Sequence, residues 1–378
     1  MRTLIISMTC GEGHNYIAKA IKSELDSLNE DSKIIQLYGY SNKEVQRQNK
    51  LFLNTCKYIP SIYERIWLKL RSRNPKRPSA IVKKTIKSCN KYLLEEIEKY
   101  NPDNIICTHN NASAVISYFK KENILPSHIK TYTIAFDYCV CPYWEFSTDC
   151  DYIITPHEFT HNEYLEKGFN NTQLLPFGLP VDEKYTKNIN KQQARETLGI
   201  SPNLFTIALY SGGNCLSKAS KFIKAIIKRN LPIQIISICG KNETEFKKVN
   251  NLISKYDLKN VLNIGFCTNL DVIYSASDIV FSRGGGMGLT EQINKNVPFV
   301  LREGLIINER INKKIFTDMG VSLSMNKIND AHTIIRNLIA HPDKLDEMRS
   351  KAQTLCKPES TKNFINFLLK NKANTTII

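Results

Sequence analysis

The sequence predicts an α/β protein made of two doubly wound domains. Three observations carry that expectation. Apolar runs of strand length alternate with stretches at helical spacing over most of residues 2–301. A strand, a glycine-containing turn and a helix open both halves, at 2–28 and at 206–228. Late in the second half, a strand at 279–281 runs into Arg283-Gly284-Gly285-Gly286-Met287-Gly288-Leu289-Thr290-Glu291, and a helix follows over 289–296. A chain of 378 residues suits two domains at ~100–200 residues each.

In chain order, residues 2–8 read as a buried strand, and Thr9-Cys10-Gly11-Glu12-Gly13-His14 as a loop. A helix over 17–28 repeats Ile17, Ala20, Ile21, Leu25 and Leu28 on one face, and a strand at 33–37 completes β-α-β. His14 falls where a strand hands over to a helix, on the side of such sheets that binds ligands. Its flanking glycines keep the imidazole accessible, so it is a candidate catalytic or contact residue. After a helix at 93–100 and the Asn101-Pro102-Asp103 turn, a strand at 104–108 ends in His109. A helix covers 112–120, and a strand at 131–136 delivers Asp137 to the same edge. A strand at 152–155 and a helix at 160–167 follow, and 173–176 ends the first domain.

Phe177-Gly178-Leu179-Pro180-Val181-Asp182 reads as a linker. The second set begins with a strand at 206–210, Ser211-Gly212-Gly213-Asn214 and a helix at 218–228. Strands at 233–238 and 261–264 end at Cys239-Gly240-Lys241-Asn242 and Gly265-Phe266, with a helix at 246–256 between them. A short helix at 269–276 leads to the glycine loop, a strand occupies 298–301, and the tail from 331 is mostly helical.

The glycine loop has chemistry of its own. Without Cβ atoms the backbone can approach an anion closely. The helix that follows supplies unpaired N–H groups and the positive end of its dipole. Together they make a phosphate or diphosphate site. Glu291, in the first turn, can accept hydrogen bonds from a ligand's hydroxyls. Two other motifs lead elsewhere. His157-Glu158-Phe159-Thr160-His161 matches the zinc-protease pattern, but Pro156 places His157 at a helix start rather than inside a long helix. Asp149-Cys150-Asp151 resembles a metal clamp, yet its carboxylates fall on a loop before a strand.

Composition narrows the class. The formal charge is +16, from 52 Lys and Arg against 36 Asp and Glu. Residues 43–91 hold 14 of those cations against two acids, a net +12, interleaved with Leu51, Leu53, Tyr58, Ile59, Ile62, Trp67 and Leu68. That mixture fits an interfacial segment meeting anionic lipid; the alternative is a domain helix with its apolar side on the core and a solvated basic face. No RNA-binding signature accompanies it, so nucleic acid is not expected as a partner. There is no apolar run long enough to span a membrane and no secretory leader, so the expected location is the cytoplasm. Eleven cysteines without a C-x-x-C pair argue against a disulfide framework or zinc ribbon.

Taken together, these residues resemble a family. The chain is similar to GT-B glycosyltransferases of family 28 type, in the branch of monogalactosyldiacylglycerol synthase and the processive diacylglycerol glucosyltransferases. The likeness rests on Gly11-Glu12-Gly13-His14 with Ala18, Thr108-His109, Asp137, Tyr143-Trp144, Gly178-Leu179-Pro180-Val181, Cys239-Gly240-Lys241-Asn242, Gly265-Phe266, Ala276-Ser277-Asp278 and the loop from Arg283 to Glu291. It departs at Gly284, where relatives often carry Pro, at Gly288, often Thr, and at Cys141, often His. Ile306-Ile307 replaces a Pro-Gly, and Phe146 and Asp182 also differ.

The resemblance implies two Rossmann-like domains facing across a cleft. Residues 1–177 would form the acceptor and membrane side, 178–355 the UDP-sugar domain, and 356–378 a helix packing back on the first. The donor diphosphate would lie on Gly285, Gly286, Met287, Gly288, Leu289 and Thr290, the ribose on Glu291, and the uracil at the Phe266 main chain. Gly213, Asn214, Gly240 and Gly265 complete the donor set, with Asn308, Glu309 and Asn312 against the sugar. His14 would be the general base, its near-neutral unperturbed pKa suited to the work. Gly11, Gly13, His109 and Asp137 would lie on the acceptor side. The implied reaction inverts the sugar's configuration with no metal and no cofactor beyond the UDP-sugar. The implied acceptor is a diacylglycerol-type lipid at the inner face of the cell membrane, with 43–91 docking on anionic lipid. A soluble natural-product acceptor, or a nucleotide-binding regulator without turnover, are the competing readings.

Overall fold

The computed structural model describes residues 1–9, 12–39, 43, 47, 50, 51, 54, 55, 59–71, 80–210, 212, 218–227, 231–302, 304 and 306–375. The chain divides into two units, Met1–Glu183 with Lys357–Ile378, and Lys184–Cys356.

The first unit is built on a six-stranded parallel sheet in the order β2-β1-β3-β4-β5-β6. Its strands are β1 Arg2–Ser7, β2 Asp31–Gln36, β3 Asn104–Cys107, β4 Lys130–Ile134, β5 Tyr152–Ile154 and β6 Leu174–Leu175. The central strands are apolar runs because both faces are covered. Ile5 lies between Ile34 and Ile106 in register, and Leu4, Ile5, Ile6, Ile105 and Ile106 are wholly buried. Among the described residues, four helices precede or follow these strands: α1 Gly13–Ser27, α2 Pro60–Arg71, α3 Ala80–Tyr100 and α4 Asn110–Lys121. α1 buries Ile17, Ala18, Ile21 and Leu25 at the spacing of one helix face. α3 does so with Cys89, Leu93 and Ile97, and it begins thirteen residues before the expected 93. A short helix, α5 His161–Glu166, lies between β5 and β6.

In the second unit the parallel order is β12-β11-β10-β7-β8-β9. Its strands are β7 Phe205–Leu209, β8 Ile233–Ile238, β9 Val261–Ile264, β10 Ile279–Ser282, β11 Phe299–Arg302 and β12 Ser322–Met325. The helices are α6 Lys191–Thr197, α7 Ala219–Ile227, α8 Glu243–Tyr256, α9 Leu270–Ala276, α10 Gly286–Asn294, α11 Ile307–Asp318, α12 Asp330–Ala340 and α13 Asp343–Gln353. Its core gathers Ile207, Phe222, Ile223, Ile235, Phe281 and Val300, with the Phe222 and Phe281 rings edge to face at 4.8 Å. α11 and β12 carry no expectation from the sequence.

The last helix, α14 Ser360–Thr375, belongs to the first unit. It buries Phe364, Ile365 and Leu368 completely, and Phe364 meets Tyr132 edge-on at 5.7 Å. Its start also fixes the strap at 178–181. The Ser360 hydroxyl donates to the Leu179 carbonyl at 2.9 Å, Thr361 donates to the Val181 carbonyl at 2.8 Å, and the Val181 N–H donates to Thr361 Oγ1 at 3.0 Å. Gly178 sits at φ +93°, where a Cβ would come 2.6 Å from that of Lys357. The unit boundary accordingly falls after Glu183, and 178–183 lies with the first unit rather than opening the second.

Candidate active site

In both sheets, the strand order reverses beside the first strand of the unit. β1 lies between β2 and β3, and β7 lies between β8 and β10. Two consecutive crossovers part in opposite directions there, leaving a crevice at the carboxyl ends of the strands.

In the first unit that place holds His14 and His109. β1 feeds the start of α1, whose second residue is His14. β3 ends at Thr108 and His109, and His109 caps α4 by accepting the Asn111 N–H at Nδ1, 3.0 Å away. The two rings lie 4.5 Å apart, and Phe136, beyond the end of β4, packs edge-on against His14 at 4.2 Å. His14 Nδ1 is 2.5 Å from the Thr108 carbonyl. A carbonyl only accepts, so Nδ1 carries the proton and the Nε2 lone pair is left as a base. Burial pushes the His14 pKa down to about 4, partly opposed by that backbone bond. His109 is pushed well below its ordinary value by burial and then by His14. Because His109 Nδ1 accepts, its neutral form carries a donor N–H at Nε2. The pair is therefore neutral near pH 7, with one ring offering a base nitrogen and the other a donor. The accessible imidazole expected of His14 needs correcting: the ring is buried, and desolvation takes its pKa away from the near-neutral unperturbed value.

The second unit fills the equivalent place with backbone. β10 ends at Ser282, Gly284 takes φ +84°, and Gly285 caps α10 in an extended conformation. The helix starts at Gly286, three residues earlier than expected, so Gly286, Met287 and Gly288 form its first turn and point their N–H groups outward. Asn312, from α11, donates to the Gly284 carbonyl at 2.8 Å, and Glu309 is ion-paired with Arg283 through the guanidinium Nε and Nη2. Glu291 is buried in α10, held by the Tyr274 hydroxyl at 3.5 Å and by a hydrogen bond from Tyr185. Burial, then the Glu291 charge, raises both phenols, so they remain donors. At the end of β8, Gly240 adopts φ +53° and donates to the Gly265 carbonyl at 3.2 Å. Phe266, at the end of β9, is half exposed beneath the Lys241 ammonium, 5.3 Å from its ring centre.

Comparison with known proteins bears on this arrangement. Residues 14–181 match the model of monogalactosyldiacylglycerol (MGDG) synthase, and residues 214–364 match the glycosyltransferase family 28 C-terminal domain. In sequence the chain resembles the MGDG synthase branch of the family 28 glycosyltransferases, with the two matched regions in tandem. A processive diacylglycerol beta-glucosyltransferase of Bacillus pumilus is 23% identical over 98% of this chain and 94% of its own. Among solved structures, MurG of Acinetobacter baumannii superposes with a TM-score of 0.64 at 14% identity, over 98% of this chain and 99% of that one. The Anabaena protein Alr3699/HepE in complex with UDP does so with a TM-score of 0.57 at 12% identity, over 98% and 100%. The fold is GT-B, and the enzyme class is hexosyltransferase.

In this glycosyltransferase, His14, Gly13, His109 and Asp137 gather at the carboxyl edge of the first sheet, and Gly240, Gly265, Phe266 and 285–291 at that of the second. Asn308, Glu309 and Asn312 lie on the buried face of α11, where Glu309 and Asn312 brace the glycine loop. Gly11, Gly213 and Asn214 lie outside the described residues. The two decoy motifs have structural partners. His157 caps a short turn at 158–160, and His161 bonds Asn171. Asp151 is tied to Lys120 and to Thr131, and Asp149 to Ser117. Sequence reasoning missed Tyr185 and Tyr274 on Glu291, and Arg283 on Glu309. These residues meet only through the crossovers, and no local spacing marks them.

Proposed function

We propose that this protein transfers a hexose from a UDP-sugar to a diacylglycerol-type lipid, with inversion, at the inner face of the cell membrane. The single observation that carries the reading is the Thr108-anchored imidazole of His14, whose base nitrogen is left over at the switch point of its sheet. The names of the relatives, diacylglycerol glucosyltransferases and a UDP-bound neighbour, supply the substrate classes.

His14 Nε2 takes the proton of the acceptor hydroxyl as that oxygen attacks the anomeric carbon. The bond from that carbon to the diphosphate oxygen breaks, and UDP leaves with the electron pair. One displacement gives one inversion. The first-turn N–H groups of α10 face the diphosphate, and the helix dipole stabilises the charge that grows there, so no metal is called for. Glu291 receives the ribose hydroxyls with the lone pairs its two tyrosines leave over. Gly240, Gly265 and the Phe266 main chain take the base. Imidazolium gives its proton to solvent after release.

Membrane docking is supported by the described part of 43–91. Leu51, Ile59 and Leu68 are exposed, and Arg65, Lys69, Lys83, Lys84 and Lys87 are exposed with them. Among the described residues, no helix is long and apolar enough to cross a membrane.

The test incubates the protein with labelled UDP-glucose or UDP-galactose and diacylglycerol vesicles. A hexosyl lipid of inverted anomeric configuration is expected, without added magnesium or manganese. UDP binding with no transfer to any lipid would leave a nucleotide-binding protein in place of the enzyme. Binding to anionic vesicles should fall as salt rises.

A further inference from the structure

The loop that follows β4 contains a cluster to which the proposed displacement steps assign no role. Asp137, Cys139 and Cys141 are all buried, and one ligand atom from each lies within 4.8 Å of the others. The two sulfurs are 4.0 Å apart. Two thiolates on a tetrahedral zinc, with Zn–S of about 2.3 Å, stand ~3.8 Å apart. A disulfide needs the sulfurs at about 2.05 Å, so the loop would have to close by roughly 2 Å to form one.

A second, independent observation comes from α5. The Tyr164 hydroxyl is wholly buried and has no hydrogen-bond partner. It lies within electrostatic reach of Cys141, Cys139 and Asp137. A buried phenol oxygen left unpaired costs stability. The Asp137 carboxylate is oriented by the Tyr138 N–H at 2.9 Å, the type of outer contact that fixes a metal-binding carboxylate.

We infer that Asp137, Cys139 and Cys141 form a structural zinc site, with the Tyr164 hydroxyl supplying the remaining oxygen. Thiolates paired with a carboxylate suit zinc, and hard cations such as magnesium prefer all-oxygen sets. Each zinc ion that binds displaces the two thiol protons to solvent. The bound ion ties the 137–141 loop to α5 and so steadies Phe136, which packs on His14. It takes no part in the displacement.

The test is metal analysis of the full-length protein after exhaustive dialysis against metal-free buffer. About one zinc per chain is expected. Cobalt added to the chelator-stripped protein should give a thiolate-to-cobalt charge-transfer band at one equivalent. Cys139→Ser and Cys141→Ser should each weaken zinc binding by more than ~100-fold, and Cys267→Ser, in the other unit, should keep it. The cobalt titration uses unmutated protein, so misfolding of a variant cannot mask the answer. Absence of both zinc and the cobalt band overturns the proposal. So does zinc retained in both serine variants, or a native mass two hydrogens light from a Cys139–Cys141 disulfide.

Discussion

The switch points of the two sheets are built on the same topology and use it in opposite ways. In the first unit, β1 and β3 deliver His14 and His109, two desolvated rings 4.5 Å apart. In the second, β10 delivers Gly284, Gly285, Gly286 and Gly288, which present backbone in place of side chains. The contrast shows that topology selects where a site forms, and the residues after the strand select its chemistry. A ring held by a carbonyl is suited to moving a proton. A glycine turn that opens a helix is suited to holding an anion.

The sharpest way to break this division is to remove the ring. His14→Ala should lower kcat by ~100-fold or more, the usual worth of a general base, while UDP affinity stays within about twofold. Initial rates with labelled donor and calorimetric UDP titration check the two halves separately. A variant that loses UDP binding and keeps kcat would reverse the assignment.

The same ring makes a prediction about pH. Its folded pKa, about 4, lies below the unfolded value near 6.5. The unfolded chain therefore binds more protons between those values, and stability rises with pH across that window. The contribution is complete above pH 6.5 and is lost as pH falls toward 4, about 3 kcal/mol in all. Denaturant midpoints of the native protein and of His14→Gln should converge on acidification from pH 7 to 5. The acid limb of kcat/KM should fall below pH 5, where an ordinary histidine would already be protonated. A limb centred near 6.5 would mean that His14 is solvated.

On the second unit, Glu291→Gln should raise KM for the donor by ~10-fold with kcat little changed, the loss of charged hydrogen bonds made equally in ground and transition states. The phenols of Tyr185 and Tyr274 keep an acceptor in the amide oxygen, so the melting temperature should move little. A loss of kcat alone would place Glu291 nearer the chemistry than the ribose role allows.

Most of the architecture was legible because both sheets are parallel and buried, which makes their strands apolar runs between helices. α11 was not, for a physical reason. Its buried face is Ile307, Asn308, Glu309, Asn312, Lys313 and Phe316; four of these six are polar or charged, and Glu309 and Asn312 brace the glycine loop, so the apolar signal is thin. β12 is an edge strand with two serines, Ser322 and Ser324, and gives an equally faint signal. The place of His14, in the turn between β1 and α1, could be read from its flanking glycines. Its contact with His109 could not, because 94 residues separate His14 from Thr108 until β1 and β3 pair. The depressed pKa was hidden for the same reason, since desolvation is a property of the packing around the ring.

The smallest expected effects separate two neighbouring glycines. Gly284 is required by conformation. At φ +84°, a Cβ would be strained, and it would sit 3.1 Å from the Glu309 carbonyl oxygen. Gly284→Ala should cost about 1–2 kcal/mol, a fall in melting temperature of roughly 2–8 °C. Gly285 has no such constraint, for it is exposed and a Cβ there meets nothing within 4 Å. Gly285→Ala should therefore leave the melting temperature unchanged. If the loop cradles a diphosphate, the added methyl should still weaken UDP binding, because the backbone can no longer approach the anion as closely. Thermal melts and UDP titrations on the two variants read the two requirements independently. Unchanged UDP affinity in Gly285→Ala would move the diphosphate off this turn and leave the glycines with a folding role alone.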